Sequence, residues 1–247
     1  MVITSVNNKY VKDISKLKEK KYRDLENCFL VETRHLVEEA YKEGLLEELI
    51  ILDKEEYSLE GVKTVIVSKE VMKKISSTDS INPVMGVVKK KNSGEVIGTK
   101  VLILDNVQDP GNLGTIIRSS VALGIETLVL SLDTVDLYNP KVIRSSEGMI
   151  FHLNIVRRDV FKCILDLRDR GYQVIGTDVH GGVNVREFKT HDKYGLILGN
   201  EGKGIKKEIL DMVDTRIYIP MKKECESLNV GVSAGIILYE LNKEKLG

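Results

Sequence analysis

Three short segments hold most of the side chains in this sequence that could do chemistry together. Asn112 and Arg118 stand in DNVQDPGNLGTIIRSS (105–120), Glu201 in LGNEGKGI (198–205), and Ser227 and Asn229 in IPMKKECESLNVGVSAGIILYE (219–240). Arginine is a permanent cation with a planar fork of donors, suited to holding a phosphate or a developing oxyanion and poorly suited to accepting a proton. Gly199, Gly202 and Gly204 let a backbone approach a ligand closely or adopt positive φ. His35, His152, His180 and His191 all fall outside these segments, so no imidazole base is indicated in them. Cys28, Cys163 and Cys225 lie far apart without ligand spacing, so no metal and no disulfide framework is expected. What remains is the capture of a nucleoside-like ligand by main-chain N–H and C=O groups, beside an arginine, a glutamate, a serine and two asparagines.

Each piece also has a plainer reading. Asn112 with Arg118 could be a helix cap and a surface arginine, Ser227 an N-cap, and Asn229 a first-turn polar residue. Glu201 could be a carboxylate favoured by a helix dipole, and Cys225 a small semi-buried residue. The glycine spacing G-x-x-G-x-G fits neither the dinucleotide fingerprint nor a phosphate-binding P-loop. What sets the three segments apart is that each follows an apolar, strand-like run and leads into a helical one.

The elements that must position them read as an α/β protein. Strands are expected at 101–104, 127–131, 152–156, 172–177, 194–199 and 216–220, with helices near 112–123, 140–147, 160–170 and 230–242. Short apolar strands alternating with helices imply a mostly parallel sheet covered on both faces, which binds ligands in loops at the carboxyl ends of its strands. Ahead of it, helices near 34–43 and 69–75 and strands at 49–52, 64–67 and 85–88 predict a small α/β domain. The polar run Lys89–Gly94 marks a linker near 89–99, giving domains at 1–92 and 93–247.

Bulk properties exclude rather than identify. Apolar residues make up 42% and charged residues 30% of the chain, as in soluble globular proteins. No apolar run approaches the ~20 residues that span a bilayer, and the opening residues have no apolar core of a secretory signal. The cysteine usage suits a reducing cytosol. With 37 basic and 37 acidic side chains the net charge is zero, so any nucleic-acid contact must come from a local patch. Lys9, Lys12, Lys16, Lys20 and Arg23 recur every three or four residues and predict one basic helix face. Lys141 and Arg144 add two cations on the helix near 140–147.

The three segments closely resemble, in order, the three motifs of the SPOUT-class, SpoU-type (TrmH-like) RNA ribose 2′-O-methyltransferases. FLVETRHLVEEA (29–40) is similar to the small ribosomal-protein-like RNA-binding domain often found ahead of that catalytic domain. The pattern departs at Glu32-Thr33-Arg34, where a glycine is expected beside the glutamate, and at Gly231, where several relatives carry serine or alanine. The resemblance implies a knotted (deep trefoil) catalytic domain threaded through about 195–235, an obligate homodimer and a cytoplasmic enzyme. It implies S-adenosylmethionine held by Leu198, Gly199, Asn200, Gly202, Ile219, Met221, Ser227 and Leu228. Asn112, Arg118, Glu201, Ser227 and Asn229 match the family's functional positions; the resemblance suggests Arg118 as the base, whereas its permanent charge favours a phosphate clamp and alkoxide stabiliser. RNA contacts are expected at Lys9, Lys12, Lys16, Lys20, Arg23, Arg34, Lys141 and Arg144. The substrate so implied is ribosomal RNA; transfer RNA, or a catalytically silent RNA-binding or ribosome-assembly role, is the alternative.

Overall fold

Apolar runs bounded by caps and turns organise the chain into two units, described for residues 2–91 and 94–243 in a computed structural model. The first contains β1 (Val2–Ile3), α1 (Lys9–Lys16), α2 (Lys20–Glu26), β2 (Cys28–Glu32), α3 (Arg34–Lys42), β3 (Leu46–Leu52), β4 (Lys63–Val67), α4 (Lys69–Ile75) and β5 (Val84–Lys89). Its sheet has the order β1-β4-β3-β5-β2 and is mixed: β1, β4 and β3 run parallel, while β5 is antiparallel to both β3 and β2. Val11, Ile50, Val71, Met72 and Met85 are buried together in its core. Asn8, Thr33 and Ser68 cap α1, α3 and α4 through their side-chain oxygens, satisfying amides that a helix start leaves unpaired.

The second unit is built on β6 (Lys100–Leu104), α5 (Pro110–Ala122), β7 (Thr127–Leu130), then, past α6 (Pro140–Ser146), β8 (Asn154–Arg157), α7 (Val160–Asp169), β9 (Gln173–Thr177), β10 (Val183–Asn184), β11 (Tyr194–Leu198), α8 (Lys207–Leu210), β12 (Thr215–Tyr218) and α9 (Val230–Asn242). Its seven strands are all parallel, in the order β10-β12-β9-β11-β6-β7-β8. β11 is buried along its whole length, as a strand covered on both faces must be, and so reads as a continuous apolar run. α5 packs against α9, where a Cβ on Gly231 would meet Thr115 Cγ2 at 3.3 Å; the glycine permits that close approach. The far end of α9 is pinned by buried Asn242, whose amide donates to the Tyr194 hydroxyl at 2.8 Å.

Two expectations need correction. Residues 136–151, with α6, belong to the first unit rather than to the segment 93–247. There Asp136 pairs with Arg23 at 2.5 Å, and Phe29 meets Tyr138 in a tilted contact and Phe151 in a stacked one, with ring centroids 4.7 and 6.3 Å away. The single basic helix is also two helices, broken at residues 17–19. The junction expected near 89–99 includes Asn92 and Ser93, which lie outside the described residues.

Candidate active site

Three loops at the carboxyl ends of β6, β11 and β12 are tied to one another by side chains that the sequence singled out. Asp109 caps α5, its Oδ1 accepting the Asn112 amide at 2.8 Å, and Pro110 follows at the first helical position, where a missing N–H is harmless. The helix therefore begins two residues earlier than its apolar pattern predicts, and Asn112 is not the cap. Its side chain is free to link the other loops: Asn112 Nδ2 donates to Glu201 Oε1 at 3.1 Å, and Asn112 Oδ1 accepts from Asn229 Nδ2 at 2.8 Å. Asn229, not Ser227, caps α9, accepting the Gly231 and Val232 amides at 2.9 and 3.3 Å.

Glu201 collects donors at this junction. Besides Asn112, its carboxylate accepts the backbone amides of Gln108 at 3.3 Å and Asp109 at 3.2 Å. Burial pushes its pKa up, but the hydrogen bonds from Asn112 and from the Glu201, Asp109 and Gln108 amides outweigh that and leave it below the usual carboxylate value. Its neighbour Asn200 turns the loop on itself, accepting the Gly202 and Lys203 amides at 3.0 and 3.1 Å and donating to the Asn106 carbonyl at 2.9 Å. Gly199 permits this fold: a Cβ there would collide with the backbone of Gly204 and Ile205. Beneath the junction, buried Asp105 accepts the Lys206 amide at 3.2 Å, a further tie between the first loop and the second.

Beside the junction lies a cavity of about 490 Å³. All eight side chains and backbone positions expected to hold the cofactor line it: Leu198, Gly199, Asn200, Gly202, Ile219, Met221, Ser227 and Leu228. The volume falls within the roughly 300–1,000 Å³ of small-molecule sites. Its walls combine apolar Leu198, Ile217, Ile219 and Ile237 with loop backbone, the surroundings an adenine ring and a flexible polar tail require. Thr177, Asp178 and His180 also line it, from the end of β9; their one signal in the sequence is their position just past the carboxyl end of an apolar strand, where such sheets bind ligands. Arg118 is not in the lining. It is exposed, about 9 Å further along α5 than Asn112 at 1.5 Å per residue, and makes no hydrogen bond or ion pair among the described residues.

The expected RNA-contact residues are less uniform. Lys9 and Lys12 are exposed, but Lys16 pairs with Asp13 at 2.8 Å and Lys20 with Asp24 at 2.6 Å. Arg23 is only 4% exposed and donates to the Leu17 and Lys18 carbonyls as well as to Asp136, so it closes the end of α1 and cannot meet a substrate. Arg34 pairs with Glu55 at 2.8 Å and stacks on Tyr57, Lys141 is exposed, and Arg144 donates to Ser77 Oγ at 2.9 Å.

A parallel α/β sheet whose strand-end loops meet beside a nucleoside-sized cavity defines a small-molecule-binding protein of the strand-end type. The chain belongs to the SpoU rRNA Methylase family, whose model matches residues 99–239, and the MRM3-like substrate binding domain matches residues 8–86. It is 36% identical to the 23S rRNA (guanosine(2553)-2′-O)-methyltransferase RlmP of Bacillus subtilis, covering 97% of this chain and 98% of that one. Among solved structures, the AdoMet-bound rRNA methyltransferase of Sinorhizobium meliloti superposes with a TM-score of 0.89 at 28% identity, covering 100% of this chain and 99% of that one. The AdoMet complex of the SpoU methyltransferase AviRb of Streptomyces viridochromogenes gives 0.86 at 27% identity, covering 98% and 99%.

Proposed function

We propose that this protein transfers a methyl group from S-adenosylmethionine to a ribose 2′-hydroxyl of ribosomal RNA. The observation that carries this is the Asn229–Asn112–Glu201 chain, which knits the three motif loops into one junction beside a cavity lined by all eight expected cofactor positions. The cofactor, when bound, supplies a methyl group on a positively charged sulfur, already reactive toward an oxygen nucleophile. The protein's task is then to hold donor and acceptor in line and to accommodate the charge developing on the ribose oxygen.

Within that task, Asn112, Glu201 and Asn229 fix the loops, and the loop backbone at 198–204 with Ile219, Met221, Ser227 and Leu228 holds the cofactor. Arg118, exposed and unpaired among the described residues, is suited to grip an RNA phosphate and to stabilise the developing alkoxide. Its permanent charge disfavours it as the base. Lys9, Lys12, Arg34, Lys141 and Arg144 remain the RNA contacts of the first unit. We read the protein further as a cytoplasmic homodimer with a trefoil knot. Val232, Ile236 and Tyr239, 50%, 37% and 55% exposed at helical spacing on α9, form an apolar stripe that a second copy would cover.

The test is methyl transfer from labelled S-adenosylmethionine to separated, unmodified rRNA and tRNA, with mapping of ribose methylation. One 2′-O-methylated rRNA site is the expected result. A tRNA site would move the substrate, and no label in any RNA despite cofactor binding would make the protein a silent RNA binder.

A further inference from the structure

In the first unit, Glu32 at the end of β2 is 5% exposed and forms no salt bridge among the described residues. Its carboxylate is wrapped instead by the turn that follows α4. Oε1 accepts the Ser77 amide at 2.7 Å and the Ser77 hydroxyl; Oε2 accepts Ser76 Oγ at 2.6 Å and Thr78 Oγ1 at 3.3 Å. A buried carboxylate must have its oxygens hydrogen-bonded, and the Ser77 amide with the Ser76 and Ser77 hydroxyls satisfies this one. Thr78 shares its proton between Glu32 and the Ser80 carbonyl at 2.8 Å, so the turn is held in a single geometry.

Cations from three separate elements gather on this turn. Arg144 of α6 gives one N–H to Ser77 Oγ at 2.9 Å, and the rest of its fork meets no acceptor among the described residues. Lys18, in the joint between α1 and α2, donates to the carbonyl of Lys74 on α4 at 2.7 Å. Burial lowers the Lys18 pKa; Glu32 opposes the shift and the neighbouring Lys74 charge adds to it. Two like charges are thus held close, and Glu32, the carboxylate that opposes the shift, is already hydrogen-bonded by the turn. An arriving anion would relieve that repulsion, and a guanidinium anchored through one donor keeps the others for a phosphate oxygen.

We propose that the Ser76–Thr78 turn, with Arg144, Lys18 and Lys74 around it, is a backbone-phosphate subsite for the RNA substrate, and that Glu32 is the positioning residue that fixes it. This rests on the reading of the protein as an RNA methyltransferase. The subsite draws on residues from α1–α2, α4 and α6, so no single basic run in the sequence marks it.

The experiment measures binding of the full chain to unmodified 23S rRNA across a salt series, together with S-adenosylmethionine affinity as a check on the fold. The triple variant Lys18→Gln/Lys74→Gln/Arg144→Gln is expected to lose at least about tenfold in RNA affinity. Its slope of log affinity against log salt should fall by about 2–3, at roughly 0.7–0.9 per phosphate contact, with cofactor affinity unchanged. Arg144→Lys, which keeps the charge and loses the fork, should weaken binding while largely keeping the slope. Unchanged RNA affinity and slope in the triple variant would overturn the subsite while leaving the methyltransferase reading intact. An equal loss per charge from Lys54→Gln/Lys69→Gln, exposed lysines of the same unit outside the proposed contacts, would overturn it too, replacing a site by a diffuse basic field. Wild-type protein with no affinity for any RNA would overturn both readings.

Discussion

Thr33 holds a φ of +120°, a region that disfavours any residue with a Cβ, and it does so at the position where the family pattern expects glycine. The hydroxyl gives something back by capping α3 through the Leu36 amide at 3.3 Å. Glycine is nearly as good a cap, to within a few tenths of a kcal/mol, while the strain at such a φ is about 1–3 kcal/mol. After subtracting the extra freedom glycine brings to the unfolded chain, Thr33→Gly is expected to stabilise the protein by about 1 kcal/mol, a rise of roughly 2–4 °C in Tm by calorimetry. Gly199→Ala should do the opposite to function. Because its Cβ meets the backbone of Gly204 and Ile205, the 199–204 turn must open, and S-adenosylmethionine affinity by calorimetry should drop at least about a hundredfold. Arg118→Ala should abolish methyl transfer and leave cofactor affinity within about twofold, since Arg118 lies outside the cavity lining. A large loss of cofactor binding would remove it from the role of RNA clamp.

Among the elements, those with a clean apolar period were legible. Helices 69–75 and 230–242 have the residue ranges the pattern predicts, and Gly44, Gly124 and Gly171 end their helices with φ of +67°, +76° and +77°. The α1–α2 break was not legible, because lysines continue across it at helical spacing while Leu17 and Arg23 turn inward to close the joint. The strand β2 was hidden by having no turn residue before α3; Glu32 passes directly into the Thr33 cap. At the site, the participating residues were legible from their motifs, but not which one caps which helix. Asp109 and Asn229 take the caps and free Asn112 to bridge, an exchange decided by three-dimensional contact rather than spacing. The Glu201 junction also has a definite pH response. Its folded pKa is depressed, so its stabilising contribution is fully present above the ordinary carboxylate value and is lost as pH falls through the lower folded value. Cofactor affinity should therefore be flat from pH 6 to 8 as far as this carboxylate is concerned, and a Glu201→Gln variant should lose the acid limb of the wild-type profile.

For the whole molecule, the outward stripe of Val232, Ile236 and Tyr239 is an apolar face at helical spacing that a lone chain leaves exposed. Ile236→Asp is expected to convert a dimer into a monomer in light scattering behind size exclusion, and a wild-type monomer would remove the stripe as an assembly face. The reach of segment 136–151 into the first unit has another consequence, for how such a protein can be taken apart. The polypeptide passes between the two units three times, near 92–93, 135–136 and 151–152, rather than through a single tether. A truncation starting at residue 93 would strand Tyr138 and Phe151 without Phe29, and Asp136 without Arg23. Excising the first unit from this chain must therefore take segment 136–151 with it, or leave that segment without its partners.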